Sequence, residues 1–403
     1  MTESVKIMRI LVISAAIDPE LGGPATVLQR HLRALKKAGV DVTLFGVADS
    51  QRLPQMRQIY PDARLFPMTF PKFWFYGAGL YPALLTAVQN HDVVHVHMLW
   101  EHSFWAAWHA TRRFDIPLIV TPHGSLMEPW RYRPLHKRLY RWLILDPMLR
   151  DPVILHAVSQ QEARASVTAG VLAHIRMVPN GLEAEEFAPG PEVWPLLKQQ
   201  RAQQAIKQWP VLANQQVLLY LGRLWEGKGV MDLVEAWSVL IQRQIAQGWI
   251  LVLAGPDYQG CRRRLIERLV QLEIHDQILL TGPVFEADKA ALLALASGFV
   301  QPSHSEGASM ALLEAIGMGL PVVMTKECHF PELARVGGGI EVPMGVEGVT
   351  VGMTGLLTMD PSEREYMGYQ AQSLAKSRFD MSQIATELIA LYQEAMGKKI
   401  QNK

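Results

Sequence analysis

Short runs of Val, Ile and Leu alternate along this chain with longer amphipathic segments, and the alternation stops once and then restarts. ILVIS (Ile10 to Ser14), DVTLF (Asp41 to Phe45), DVVHVH (Asp92 to His97), PLIVT (Pro117 to Thr121) and ILHAVS (Ile154 to Ser159) read as strands of a first sheet. Near-continuous apolar runs of this length suit parallel strands covered on both faces, with the amphipathic segments as crossover helices. From Gly181 to about Gln215 the text turns rich in acid, Pro and Gln, which fits a linker with a helix. The alternation then resumes with VLLYLG (Val217 to Gly222), ILVLAG (Ile250 to Gly255), QILLTG (Gln277 to Gly282), GFVQPS (Gly298 to Ser303) and PVVMT (Pro321 to Thr325). The chain is therefore expected to be α/β, with two doubly wound parallel sheets.

At 403 residues, 49% hydrophobic and 19% charged, it is too long for one ordinary domain and apolar enough for two cores. A net charge of +1 argues against nucleic acid as a partner. The charges are unevenly spread. Residues 1–187 hold 20 basic and 16 acidic side chains, leaving 19 and 22, so the halves carry +4 and −3 and the first suits an anionic acceptor or surface. Cys261 and Cys328 lie far apart and form no metal spacing, so a reducing cytoplasm is expected and no disulfide. The apolar run at the N-terminus is too short for a signal peptide and reads as a buried strand. The longest uncharged window, between Lys72 and Asp92, contains two glycines and Pro82 and reads as a buried or interfacial helix rather than a membrane span.

Ligands of open α/β sheets bind where strands end, because helix N-termini there offer unpaired N–H groups and a positive dipole end. Gly22 and Gly23 precede a helix expected from Pro24; the pair fits either close phosphate approach or a plain tight turn. LGRLWEGKGVMDLVEAW sets Arg223 and Lys228 between a strand and a helix, a pair suited to a diphosphate or to a solvated loop. LTGPVFEADK ends a strand at Gly282-Pro283-Val284, as ordinary turns do. QPSHSEGASMALLEAIG, from Gln301 to Gly317, keeps Glu306 in a loop and Glu314 inside the helix for which Ser309 is the expected N-cap. A carboxylate at Glu314 leans toward the helix N-terminus and can accept from both hydroxyls of a ribose; a place on the helix's wet face is the alternative. His95, His97, His102 and His123 fall in one region, and a metal site among them is conceivable. No carboxylate or cysteine stands with them at ligand spacing, so His95 and His97 read as hydrogen-bonded strand-end histidines, and no metal is expected.

Taken in order, GRLWEGKG, GPV, EGASMALLE, GLPVV and HFPEL resemble the nucleotide-binding domain of the retaining glycosyltransferases of family 4. The first half shares the resemblance. GGPATVLQRHLRALKKAGVDVTLF is similar to the family's entry segment, HVHMLWEHSFWAAWHATRRFDIPLIVTPHGSLMEPW to bacterial polysaccharide-assembly members, and AVSQQEA with VPNGLEAEEF to their domain crossing. FDMSQIATELIALYQEAM resembles the closing helix. Gly307-Ala308-Ser309 departs from the family's Gly-aromatic-Gly.

The resemblance implies a GT-B fold: two Rossmann-like domains facing a cleft, with residues 1–187 for the acceptor, 188–380 for the nucleotide sugar, and 381–403 crossing back to the first domain. It implies a metal-independent, retaining glycosyltransferase without a resident cofactor, acting on a nucleoside-diphosphate sugar and a glycan or lipid-linked acceptor in polysaccharide assembly. Arg223 and Lys228 would neutralise the diphosphate, Glu306 bind the transferred sugar, and Glu314 the ribose. Gly23 and the amides of Ala308, Ser309 and Met310 would add backbone donors, Val284 would lie near the base, and His123 near the anomeric centre. A sugar-nucleotide epimerase of the same architecture and a silent glycan-binding partner are the competing readings. Finally, EPWRYRPLHKRLYRWLIL interleaves Arg131, Arg133, Lys137, Arg138 and Arg141 with Trp130, Tyr132, Tyr140 and Trp142. It suits an anionic membrane surface on the cytoplasmic side, with a solvated basic helix as the alternative.

Overall fold

The computed structural model of the chain describes residues 7–127, 135–150, 154–190 and 192–401. The chain forms two compact units, Met1–Gly181 with Met381–Lys403 and Leu182–Asp380. The division falls after Gly181 because the next residues are bonded into the second unit. Leu182 N donates to Phe379 O at 2.7 Å and Ala188 N to Gly317 O at 3.0 Å.

In the first unit the described strands are β1 (Arg9–Ser14), β2 (Asp41–Asp49), β3 (Arg64–Thr69), β4 (Tyr76–Gly77), β5 (Val93–His97), β6 (Leu118–Thr121), β7 (Ile154–Ala157) and β8 (His174–Met177). They form one sheet in the order β4-β3-β2-β1-β5-β6-β7-β8, parallel except for the β3–β4 pair. Successive side chains of a strand point to opposite faces, and β1 shows the result. Leu11 and Ile13 pack with Phe104, Ala107 and Leu145, whereas Ile10 and Val12 pack with Leu28 and with Ile384 and Leu388 of the closing helix Met381–Gln401. The helix Gly23–Lys37 opens one residue before Pro24, buries Val27, Leu28 and Leu35, and places Lys36 and Lys37 where its dipole favours cations.

Two expectations are corrected. The run DVTLF continues as strand to Asp49, because GVA is buried and pairs with β3. The uncharged window is not one helix: only Leu80–Ala87 is α-helical, with Pro82 in its first turn and 3₁₀ turns and a short edge strand around it.

The second unit contains β9 (Gln216–Leu221), β10 (Trp249–Ala254), β11 (Ile278–Gly282), β12 (Gly298–Gln301), β13 (Val322–Thr325) and β14 (Gly339–Val342), in the order β11-β10-β9-β12-β13-β14. The described pairings are all parallel. Order reverses between β9 and β12, the switch point at which open sheets of this kind bind ligands. The linker helix is Trp194–Gln208.

Trp130, Arg131, Tyr132 and Arg133 lie outside the described residues. Of the rest of that basic segment, Arg138, Leu139, Trp142 and Leu143 are exposed, but Arg141 is not available to an external surface. Its Nε donates to Asp146 Oδ1 at 2.8 Å and its guanidinium also reaches the Ala169 carbonyl. Among the described residues no helix is long and apolar enough to cross a membrane.

Candidate active site

Eight of the ten site residues read from the sequence belong to the second unit; Gly23 and His123 belong to the first. The loops after β9 and β12 are drawn together by backbone. Gly229 has φ +68, and a Cβ there would lie 1.9 Å from the Pro302 carbonyl oxygen, so only glycine permits the approach. His304 N donates to Gly227 O at 3.0 Å across the same seam.

This seam delivers Lys228 to Glu306. Lys228 Nζ lies 2.6 Å from Glu306 Oε1, the oxygen that also accepts from Ser303 Oγ at 2.8 Å and Gln301 Nε2 at 3.1 Å. Three donors therefore hold one oxygen of a carboxylate that is 6% exposed, which offsets the desolvation an isolated charge would suffer. Among the described residues nothing donates to Oε2, so the second oxygen can accept from a ligand. Ser309 is the N-cap of the helix Met310–Gly317, its hydroxyl accepting from Leu312 N at 3.2 Å. The amides of Ala308 and Ser309 make no hydrogen bond among the described residues, leaving donors beside Glu306.

Glu314 is buried, so the wet-face alternative is excluded. Lys289, on the helix Glu286–Leu295, donates to its Oε1 at 2.9 Å. Arg223 is exposed, with its guanidinium 5.4 Å from the Tyr258 ring centroid and no carboxylate partner among the described residues. Val284 is half-buried at the turn after β11.

In the first unit, His123 follows β6 with φ +51, a conformation that a bulky residue holds only when its surroundings impose it. Glu162, wholly buried, imposes it in part: its carboxylate accepts from the amides of Gly124 and Val158 and so joins the loops after β6 and β7. His123 Nε2 and His97 Nδ1 are 2.8 Å apart, and among the described residues nothing bonds Nδ1 of the half-buried His123 ring, which can meet a ligand. Burial drives the His123 pKa down to about 3, so the ring offers a hydrogen bond and no positive charge at neutral pH. His95 is satisfied on both nitrogens, by Tyr392 Oη at 2.9 Å and Thr121 Oγ1 at 2.7 Å. Among the described residues no three His, Cys, Asp or Glu side chains are placed to hold a metal.

Sequence reasoning missed Lys289, Gln301, Ser303, His97's link to His123, and Glu162. The first lies in an ordinary acidic helix turn. Gln301 and Ser303 stand in the QPS strand end already quoted, where buried polar side chains at a strand terminus were the available sign.

Residues 22–181 match the family described as Glycosyl transferase 4-like domain, and residues 215–358 match Glycosyl transferases group 1. The chain belongs to the GT-B glycosyltransferases. It is an enzyme of sugar transfer in glycan biosynthesis, which sets aside the epimerase and silent-partner readings. This glycosyltransferase is 22% identical to the GDP-mannose:cellobiosyl-diphosphopolyprenol alpha-mannosyltransferase of Xanthomonas campestris, with 82% of each chain covered. It is 25% identical to a D-inositol 3-phosphate glycosyltransferase of Xylanimonas cellulosilytica, over 94% of this chain and 93% of that one. Its fold is that of Anabaena HepE, solved with UDP and glucose, at a TM-score of 0.77 and 18% identity, covering 96% of this chain and all of the other.

Proposed function

We propose that the second unit of this glycosyltransferase binds a nucleoside-diphosphate sugar and that the first presents a glycan or lipid-linked hydroxyl, which receives the sugar with retention. The observation that carries the reading is the Glu306 carboxylate, with one oxygen fixed by Lys228, Ser303 and Gln301 and, among the described residues, no donor on the other and no bond from the amides of Ala308 and Ser309. Oε2 accepts hydroxyls of the transferred sugar. Lys228 and Arg223 meet the diphosphate, and the amides of Ala308, Ser309 and Met310 add to them at a helix N-terminus. Glu314 takes the ribose hydroxyls, Val284 borders the base, and Gly23 offers an amide from the first unit.

The reaction breaks the bond between the anomeric carbon and the diphosphate oxygen and forms one to the acceptor oxygen, whose proton passes to the departing diphosphate. Negative charge grows on that leaving group, so fixed cations and amides supply the stabilisation. No metal is required in this scheme. Neutral His123 positions the reacting groups through Nδ1. A thermal-shift screen of UDP-, GDP- and ADP-sugars tests the reading: one donor class raises the midpoint, and the same donor supports transfer to an acceptor glycan. No response to any nucleotide sugar overturns it.

The acceptor is proposed to be lipid-linked and met at the cytoplasmic membrane face; the Xanthomonas relative is named for a diphosphopolyprenol acceptor. Exposed Phe73, Leu139 and Trp142 support this, with Trp74 Nε1 3.2 Å from Tyr140 Oη joining the 72–74 turn to the basic segment. Sedimentation with anionic liposomes is expected to recover the protein at low salt, less at high salt, and less in a Lys137→Glu/Arg138→Glu variant. Equal recovery with neutral liposomes would contradict the surface.

A further inference from the structure

Glu314 is held by a residue that lies in none of the motifs. The carboxylate sits within an apolar stretch of the helix Met310–Gly317, and Lys289 Nζ reaches its Oε1 at 2.9 Å from the first turn of another helix. The two side chains differ in setting: that of Lys289 is 29% exposed and that of Glu314 is 7% exposed. A lysine with water within reach gives up the freedom of its flexible stem to make this bond. Its counterpart gains more, since a buried carboxylate needs a paired charge to remain ionised.

The terminal torsion of a glutamate is broad and roughly two-fold, so burial alone does not set the plane of the carboxylate. A cation fixed on Oε1 does. Two vicinal hydroxyls can be read together only by an acceptor whose plane and direction are set in advance. The same helix that supplies Lys289 begins two residues after Val284, so one short segment, Val284–Lys289, would border the base and orient the ribose acceptor.

We infer that Lys289 is a positioning residue for Glu314: it orients the carboxylate toward the vicinal ribose hydroxyls and so makes the site selective for ribonucleotides. The inference rests on the proposed contact between Glu314 and the ribose. A site built to bond a hydroxyl rejects an analogue lacking it, because the hydrogen bond that the oriented carboxylate is placed to accept is then lost.

The test is calorimetry with UDP, GDP and ADP and their 2′,3′-dideoxy forms, on the wild type and on Lys289→Met, Lys289→Arg and Glu314→Ala. The wild type is expected to prefer its ribonucleotide about tenfold or more, as loss of a charged hydrogen bond implies. Lys289→Met reduces that preference to about threefold by weakening the ribonucleotide while leaving the dideoxy form nearly unchanged, and Lys289→Arg restores it. A preference that survives in Lys289→Met overturns the inference, as does equal weakening of both forms, which marks a general charge or phosphate contact. Preference retained in Glu314→Ala overturns the ribose contact itself, whatever Lys289 does.

Discussion

Replacing His123 by alanine is expected to lower turnover about 100-fold while donor affinity stays within twofold of the wild type. The magnitude is that of a misplaced reacting group. The split follows from the architecture, because the proposed donor-binding side chains belong to Leu182–Asp380 and His123 does not. Its ring is neutral at working pH, so removing it takes away an oriented hydrogen bond and no charge from the diphosphate site. His97→Ala should show the same split in weaker form, since His97 Nδ1 holds His123 Nε2. Steady-state kinetics together with calorimetry measure both quantities. Full turnover in His123→Ala would remove this histidine from the reaction, and loss of donor affinity would mean that its role had been misassigned.

The second large effect is on stability, and its cause is the cluster around that ring. His31, His95, His97, His123 and His156 are stacked or tilted against one another, with centroids 4.6 to 6.2 Å apart along the contacts that join them. Desolvation keeps all five below their ordinary value, His123 at about 3 and His156 at about 4. Unfolded histidine titrates near 6.5. Between those limits the unfolded chain binds more protons than the folded one, so stability is present above pH 6.5 and declines as pH falls. Each ring still neutral at pH 5 costs about 2 kcal/mol by then, so these two alone remove about 4 kcal/mol. Glu101, raised by burial to about 7, and Glu162, also raised by burial, oppose the trend, because the folded state holds their protons. Five histidines outweigh two carboxyls. The urea midpoint of the first unit is therefore expected to fall steeply from pH 7.5 to pH 5, and less steeply in His31→Phe. His31 is the informative variant because neither ring nitrogen has a hydrogen-bond partner among the described residues. A midpoint independent of pH over this range would contradict the neutral cluster.

The two sheets were legible because their central strands are buried on both faces and therefore read as apolar runs. β3, β8 and β14 do not stand out in the sequence, for the converse reason: RLFPMT, HIRM and GIEV expose part of their length and mix polar with apolar residues. Arg223, Lys228 and Glu306 stand out in the sequence as charges in strand-end loops and Glu314 as a charge inside an apolar helix, although spacing alone leaves a solvated loop open for the first pair. Lys289 was not, since its partner lies 25 residues away and meets it only through the packing of two helices. The histidine cluster was half visible. Strand alternation puts His95 and His97 on one face, but His31 arrives from a helix, and His156 is one polar residue within the apolar run ILHAVS.

The central claim is that Lys228 and Glu306 form the centre of a nucleotide-sugar site, and it is tested most directly by titrating the donor selected in the thermal-shift screen into the wild type and Lys228→Ala. Loss of a charged hydrogen bond of about 1 to 3 kcal/mol predicts affinity about 5- to 150-fold weaker in the variant. Equal affinity in the two proteins would contradict the account, because the cation paired with Glu306 would then have no part in holding the donor.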